Sequence, residues 1–213
     1  MKLTLAYSKE EDLVPVLPII EKKVNRGIEL ETEKVKEDEL KFKLSNFDLI
    51  YAPLPVFFHL GKATILSNGA IVVNSLGISN TNIEKICVSG SNSTEFYLVR
   101  ALLNPKAIPV TTSSQDCSKV TTESYEIPLS NVWKSKCNDL PIVLKVILLG
   151  TVPEDVIPKV KAIIRESASI QENLHLVSPG SKELGLKGRK AIECFFKISK
   201  ENLSTPEVTY RIM

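Results

Sequence analysis

The sequence predicts an α/β fold in two lobes, discontinuous along the chain, with a cleft between them. Three observations carry this. Short runs of strand formers alternate with stretches of helical periodicity, the pattern of a mainly parallel sheet layered with helices. Two long apolar runs, GAIVVNSLGI (69–78) and LPIVLKVILLG (140–150), bracket a smaller middle section. A chain that crosses to a second lobe and returns needs two such crossing strands. That assigns residues 1–78 and 142–213 to the first lobe and 79–141 to the second. Ligands of two-lobed proteins sit between the lobes.

The elements follow in order. LTLAY (3–7) alternates and is rich in strand formers, which predicts a first strand. Residues 13–24 have helical spacing, but Pro15 and Pro18 are tolerated only near a first turn, so that helix starts late or irregularly. GIELETEKV (27–35) is a strand or hairpin, and 36–43 a short charged helix. FDLIYA (47–52) reads as a buried strand halted by Pro53, with a short helix in PLPVFFHL after it. Strands are expected at 63–66 and 69–78, then KICVSG (85–90) feeding a helix over 92–104 that stops before Pro105. AIPVTT (107–112) is a strand, the polar stretch from Ser113 to Glu126 is loop-rich, and NVWKSKC is a helical turn. Pro141 and Gly150 bound the next apolar run, which favours a buried strand. Helices close the chain at 153–170, with Pro153 in the first turn, and at 186–203.

Bulk composition excludes several classes. Lys and Arg number 27 against 25 Asp and Glu, a net charge of +2, without the basic face that nucleic-acid binding needs. No window approaches the ~18 consecutive apolar residues of a membrane span, and the N-terminus lacks the long apolar core of a signal peptide. The cysteines at 87, 117, 137 and 194 form no CxxC and have no histidine at zinc spacing. Cys87 and Cys194 lie in apolar runs and read as buried free thiols. The expectation is a cytoplasmic protein with no metal and no cofactor.

One stretch stands out. In GSNSTEFYLVRALL (90–103), Asn92 and Glu95 have the spacing of a capping box, and Ser91 or Ser93 would serve equally as the cap. One cap needs one hydroxyl, yet three hydroxyls and a glycine converge on a helix start leaving a strand. Unpaired N–H groups and the helix dipole favour an anion there, such as a carboxylate. The GxxxxGK[ST] spacing of a phosphate loop is absent.

The segment ICVSGSNSTEFYLVRALL resembles the corresponding part of the futalosine-pathway menaquinone enzymes, 1,4-dihydroxy-6-naphthoate synthase and chorismate dehydratase. Three further segments agree in order. LTLAYSKEED resembles the first strand and its acidic loop, with Lys9 where proline is usual. FDLIYAPLPVFFHLGKATILSNGAIVVNS resembles the approach to the second lobe. Trp133 followed by Leu140 and Pro141 resembles the return crossing. The resemblance implies a type II periplasmic-binding-protein-like fold. It also implies a small carboxylate-bearing ligand in the interlobe cleft, faced by Ser8, Asp12, Tyr51, Ala52, Asn68, Gly69, Ser91, Asn92, Ser93 and Thr94. Two departures matter: the strand end reads Tyr51-Ala52-Pro53, and only residues 104–130 fill a gap where relatives carry a longer segment ending in a catalytic histidine.

No catalytic residue is visible. His59 and His175 neighbour no nucleophile and read as structural or exposed, and no serine has the GxSxG elbow. Glu10, Glu11 and Asp12 suit a solvated helix start, with Asp12 the best placed to reach the cleft. Tyr51 has equal claims to packing and to ligand contact, and nothing in the sequence settles whether Asp116 and Cys117 enter the cleft. Two readings result: a lyase-type enzyme of quinone biosynthesis, or a cytoplasmic solute-binding homologue that keeps the clamp without the chemistry. A small anionic ligand is the expected partner, without nucleic acid or membrane, and a homodimer is left open.

Overall fold

The structure is a computed structural model that describes residues 1–111 and 116–213. Its strands are β1 (Lys2–Tyr7), β2 (Glu29–Lys34), β3 (Leu49–Pro53), β4 (Ala63–Val73), β5 (Gly77–Ile78), β6 (Lys85–Cys87), β7 (Ile108–Val110), β8 (Ser118–Thr121), β9 (Ile142–Leu149) and β10 (Tyr210–Ile212). The helices are α1 (Leu17–Ile20), α2 (Thr94–Leu102), α3 (Leu129–Cys137), α4 (Ile157–Asn173), α5 (Pro179–Lys182) and α6 (Gly185–Leu203). Two sheets result. The larger runs β10-β4-β9-β3-β1-β2 and the smaller β5-β8-β6-β7. β9 lies antiparallel between β3 and β4, so the larger sheet is mixed where uniform alternation of strands and helices predicts parallel pairing.

Several expectations change for local reasons. The helix read at 13–24 is a 3-10 segment, Glu10–Val16, followed by the single turn α1. Pro15 and Pro18 remove the N–H groups that a longer α-helix would need. The charged segment Glu37–Phe42 and the apolar Leu54–His59 are likewise 3-10. The strands predicted at 63–66 and 69–78 meet in one strand, β4, which ends at Val73 and leaves Gly77–Ile78 as the separate β5. The register of β4 against β9 slips between Leu66 and Ile71 and again between Ile71 and Val72. Gly69 sits at the first irregularity with φ +83°, and a Cβ there would lie 2.5 Å from Ile147 Cδ1. β8 lies inside the stretch expected to be loop, and β10 lies beyond the last expected element. The final residue of the strand read at 107–112 lies outside the described residues.

The two faces of the larger sheet bury separate apolar clusters, divided by strand alternation. Leu3, Leu5, Leu49 and Tyr51 pack beneath α4 with Ile163 and Ile164. Ala6, Ile50 and Ala52 face the other way, into a cluster that continues through Phe96 and Trp133 of the smaller-sheet region to Ile192 and Phe195 of α6. α2 packs on α6, and Asn202 Nδ2 donates to the Ala101 carbonyl at 2.7 Å. Trp133 Nε1 donates to Leu140 O at 2.8 Å, which fastens α3 to the chain returning toward β9.

The free thiols are corrected outright: Cys87 bonds Cys117, and Cys137 bonds Cys194. The partners are 30 and 57 residues apart in sequence. Only the assembled sheets bring them together, so no local spacing announces them. Cytosolic disulfides are rare outside hyperthermophiles, so the thiols no longer support a cytoplasmic location. Among the described residues no helix is long and apolar enough to cross a membrane.

Candidate functional site

The chain reverses direction at the end of β1, and Asp12 organises that turn. Its Oδ2 accepts the backbone N–H groups of Ser8 at 3.3 Å and Lys9 at 3.0 Å. This is the N3 half of a capping arrangement. The same oxygen accepts Lys145 Nζ at 2.8 Å. Lys145 comes from the middle of β9, opposite Pro53 of β3, and is only 3% exposed. A cation that deep needs compensation. Asp12 supplies it, Ser8 Oγ accepts at 3.0 Å, and Glu37 Oε2 stands 3.6 Å away. Burial works against the Lys145 ammonium, but the charges of Asp12 and Glu37 outweigh it and hold its pKa above the usual value.

Glu37 is the unexpected member. It opens the 3-10 segment after β2 and is 2% exposed. Oε2 accepts Ser89 Oγ at 2.8 Å and lies 3.3 Å from Ser8 Oγ, while Oε1 is buried with no hydrogen-bond partner. Ser89 follows β6 of the smaller sheet, so this carboxylate joins the two sheets. Burial raises the Glu37 pKa, against the opposing pull of Lys145, and the negative charge of Glu95 adds to the rise.

The helix entrance at 91–94 is built from the expected residues, and it already holds a carboxylate. Asp38 Oδ1 accepts Ser91 Oγ at 3.1 Å, Asn92 N at 3.3 Å and Asn92 Nδ2 at 3.4 Å. Ser93 is the cap of α2, accepting Phe96 N at 3.1 Å. Thr94 faces inward: Oγ1 donates to Leu144 O at 2.5 Å and accepts Leu54 N at 3.0 Å. His59 Nε2 meets Asn92 Oδ1 at 3.2 Å, which gives that exposed histidine a positioning role.

Two cavities open along this seam. The smaller, about 350 Å³, is lined by Lys9, Ser89, Ser93, Glu95, Thr111 and Lys119 among others. The larger, about 660 Å³, is lined by Ser8, Lys34, Lys36, Glu37 and Asp38, and shares Ser89 and Thr111 with the first. Walls therefore come from both sheets. Lys9 and Lys119 belong to no ion pair among the described residues.

Of the predicted residues, Ser8 and Ser93 line this seam, Asp12 lies beneath it, and Ser91 and Asn92 bind Asp38. Tyr51, Ala52, Asn68 and Gly69 line neither cavity. Tyr51 and Ala52 are fully buried, and Tyr51 Oη donates to Gly69 O at 2.8 Å. Burial, with the Asp12 charge as a smaller cause, pushes the Tyr51 phenol well up. Asn68 Nδ2 donates to Lys182 O at 2.7 Å and Glu183 Oε2 at 3.1 Å, anchoring the segment around α5. Asp116 is exposed, and Cys117 is bonded to Cys87, which lines the smaller cavity.

Lys145, Glu37, Asp38 and Ser89 were missed. Lys145 did carry a signal: it is the single charge in IVLKVILL, and a charge within a buried strand implies a partner. Glu37 and Asp38 carried none, because a run of acids before a helix reads as solvated. Among the described residues no group of three or more His, Cys, Asp or Glu is placed to hold a metal ion.

A scan against protein-family models finds no match, nor does a search of curated proteins. Solved structures do match. The chain is similar to protein AF1704 of Archaeoglobus fulgidus, with TM-score 0.75 and 14% identity, covering 94% of this chain and 97% of that one. It is similar to the CA3427 gene product of Candida albicans, described as exhibiting the generic periplasmic binding protein fold. There the TM-score is 0.56 and the identity 11%, over 98% and 97% of the two chains. An ABC transporter structure from Parabacteroides distasonis matches with TM-score 0.56 and 12% identity, over 94% and 92%. The chain has a periplasmic-binding-protein-like fold. At these identities the likeness concerns fold alone.

Proposed function

We propose that the seam between the sheets binds a small molecule by its carboxylate, which lies between Lys9 and Lys119 over the hydroxyls of Ser89 and Ser93. The observation that carries this reading is the smaller cavity itself. It is walled from both sheets, lined by hydroxyls, and flanked by Lys9 and Lys119, which belong to no ion pair among the described residues, with the carboxylate of Glu95 also in its lining. Such a cation pair next to hydroxyl donors is complementary to an anion. The site lies beside the helix entrance first singled out, since Asp38 occupies that entrance.

The resemblance narrows the ligand to the substrates of 1,4-dihydroxy-6-naphthoate synthase or chorismate dehydratase, and the reaction to a lyase. A buried acid with a raised pKa in the seam supports chemistry, because a proton carrier needs a pKa moved toward neutrality. The shortened 104–130 segment and the self-filled helix entrance favour the second reading, a binding protein without turnover. Purified protein would be incubated with chorismate and with cyclic dehypoxanthinylfutalosine and followed by mass spectrometry, with thermal shifts read for both and for benzoate. Stabilisation by at least one of these carboxylates is the expected result, and turnover of chorismate or cyclic dehypoxanthinylfutalosine would establish the lyase reading. Stabilisation without turnover leaves the binder, and no shift with any carboxylate overturns both. A ligand at a hundred times its Kd stabilises by about 2.7 kcal/mol, which for a chain of this size is a shift of roughly 5–10 °C.

A further inference from the structure

We propose that a carboxylate binding over Ser89 is taken up together with a proton, and that Glu37 is the residue that receives it. This rests on the reading of the cleft above and deepens it.

The buried cluster carries more negative than positive charge. Lys145 contributes one positive charge, and Asp12 matches it at 2.8 Å with two backbone N–H groups in support. Glu37 is the surplus acid. Its neighbours from every side are Lys145 on β9, Asp12, Ser8 and Lys9 from the turn after β1, Glu95 on α2, and Ser89 after β6. Lys145 is thus shared between two carboxylates, Glu95 adds a third negative charge, and half-buried Lys9 offsets only part of the excess. One oxygen of Glu37 has no donor although it is sealed from solvent. A buried carboxylate oxygen without a donor is costly while it carries charge, and protonation of the group lessens that cost.

Ser89 makes the coupling specific. Its hydroxyl has one hydrogen to give, and at 2.8 Å that hydrogen goes to Glu37 Oε2. Ser89 also lines both cavities. A ligand carboxylate lying over it competes for the same hydrogen and brings a further negative charge beside Glu37. If Ser89 turns to the ligand, Glu37 loses its best donor. Protonated Glu37 reverses the bond: its O–H donates to Ser89 Oγ, and Ser89 donates onward to the ligand. The proton comes from solvent: one O–H bond forms on Glu37 as one breaks on hydronium or a buffer acid, and no other covalent bond changes. Lys145 is the positioning residue, holding Asp12 and Glu37 in place.

The sign of the pH dependence follows. Burial lifts the Glu37 pKa in the free protein, and the bound carboxylate lifts it further. Between those two values binding takes up a proton, and affinity falls as pH rises, by about tenfold per pH unit for one linked proton. Below the free-protein pKa and above the bound-state pKa, affinity is flat.

Titration calorimetry of the full chain with benzoate, in buffers of different ionisation enthalpy, counts the protons. Benzamide, of the same shape and no charge, is the control. The expected result is uptake approaching one proton with benzoate and none with benzamide. In Glu37→Gln, benzoate affinity becomes independent of pH and the uptake disappears, while circular dichroism and melting confirm the fold. Equal uptake for benzoate and benzamide overturns the proposal without any variant, as does undiminished uptake in a folded Glu37→Gln. Benzoate binding with no proton uptake overturns this inference alone. No benzoate binding to the wild type overturns the reading of the cleft and this inference with it.

Discussion

Two polar turns flank the seam, and each stands at the C-terminal end of a strand. The turn 8–12 follows β1, and the turn 89–94 follows β6. Both collect hydroxyls and backbone N–H groups around a carboxylate, yet the carboxylates differ in origin. Asp12 belongs to its own turn and pairs with a buried lysine from β9. Asp38 comes from a segment more than fifty residues earlier, is half-buried, and has no cation partner among the described residues. The first turn is a structural strut with its charge neutralised. The second is held by hydrogen bonds alone. Clusters of anion-holding groups therefore do not by themselves identify where a ligand anion sits, because the protein can fill them from elsewhere in the chain.

This contrast orders the expected effects of substitution. Lys145→Met strands Asp12 and Glu37 without their cation, and breaking a buried pair in this way costs about 3–5 kcal/mol. Urea denaturation measures it, and a loss below about 1 kcal/mol would mean that the strut is not where the stability lies. Thr94→Val keeps the shape but leaves the Leu54 N–H and the Leu144 carbonyl without their shared hydroxyl. That predicts a loss of about 1–3 kcal/mol. Such a loss would mark Thr94 as a tie between layers, whereas an unchanged midpoint with altered ligand binding would return it to the site. Asp38→Asn is expected to be mildest, about 1 kcal/mol or less, because the amide oxygen still accepts from Ser91 and Asn92 near solvent. A cost as large as that of Lys145→Met would erase the distinction between the two turns.

Much of the framework was legible because it depends on local pattern. β1, β3, β9, α4 and α6 all come from runs whose periodicity matches their burial. The register slip in β4 was not legible, since a glycine between two apolar runs reads as a turn until a partner strand is present to show a bulge. β10 pairs in parallel with β4 from the far end of the chain. Its three residues belong to a short alternating run of strand formers, Val208 to Ile212, too brief to specify a strand without the partner that β4 provides. The site divides in the same way. Ser8, Asp12 and Ser93 sit in turns that the sequence marks, whereas Glu37 and Ser89 matter only because topology sets them 2.8 Å apart. Both disulfides are invisible for that reason too.

The bond between Cys137 and Cys194 does more than fasten α3 to α6. It closes the intervening chain into a covalent ring that contains β9, α4 and α5 whole. Lys145 lies on that ring, while Asp12 and Glu37 lie on the chain that precedes it and Ser89 lies on the smaller ring closed by Cys87 and Cys117. Leu174 and Leu176, both exposed, lie on the ring as well. A cut in the backbone there would open the ring without releasing a fragment, and a molecule of two covalent circuits would become a branched one with a single circuit, its mass unchanged apart from the added water.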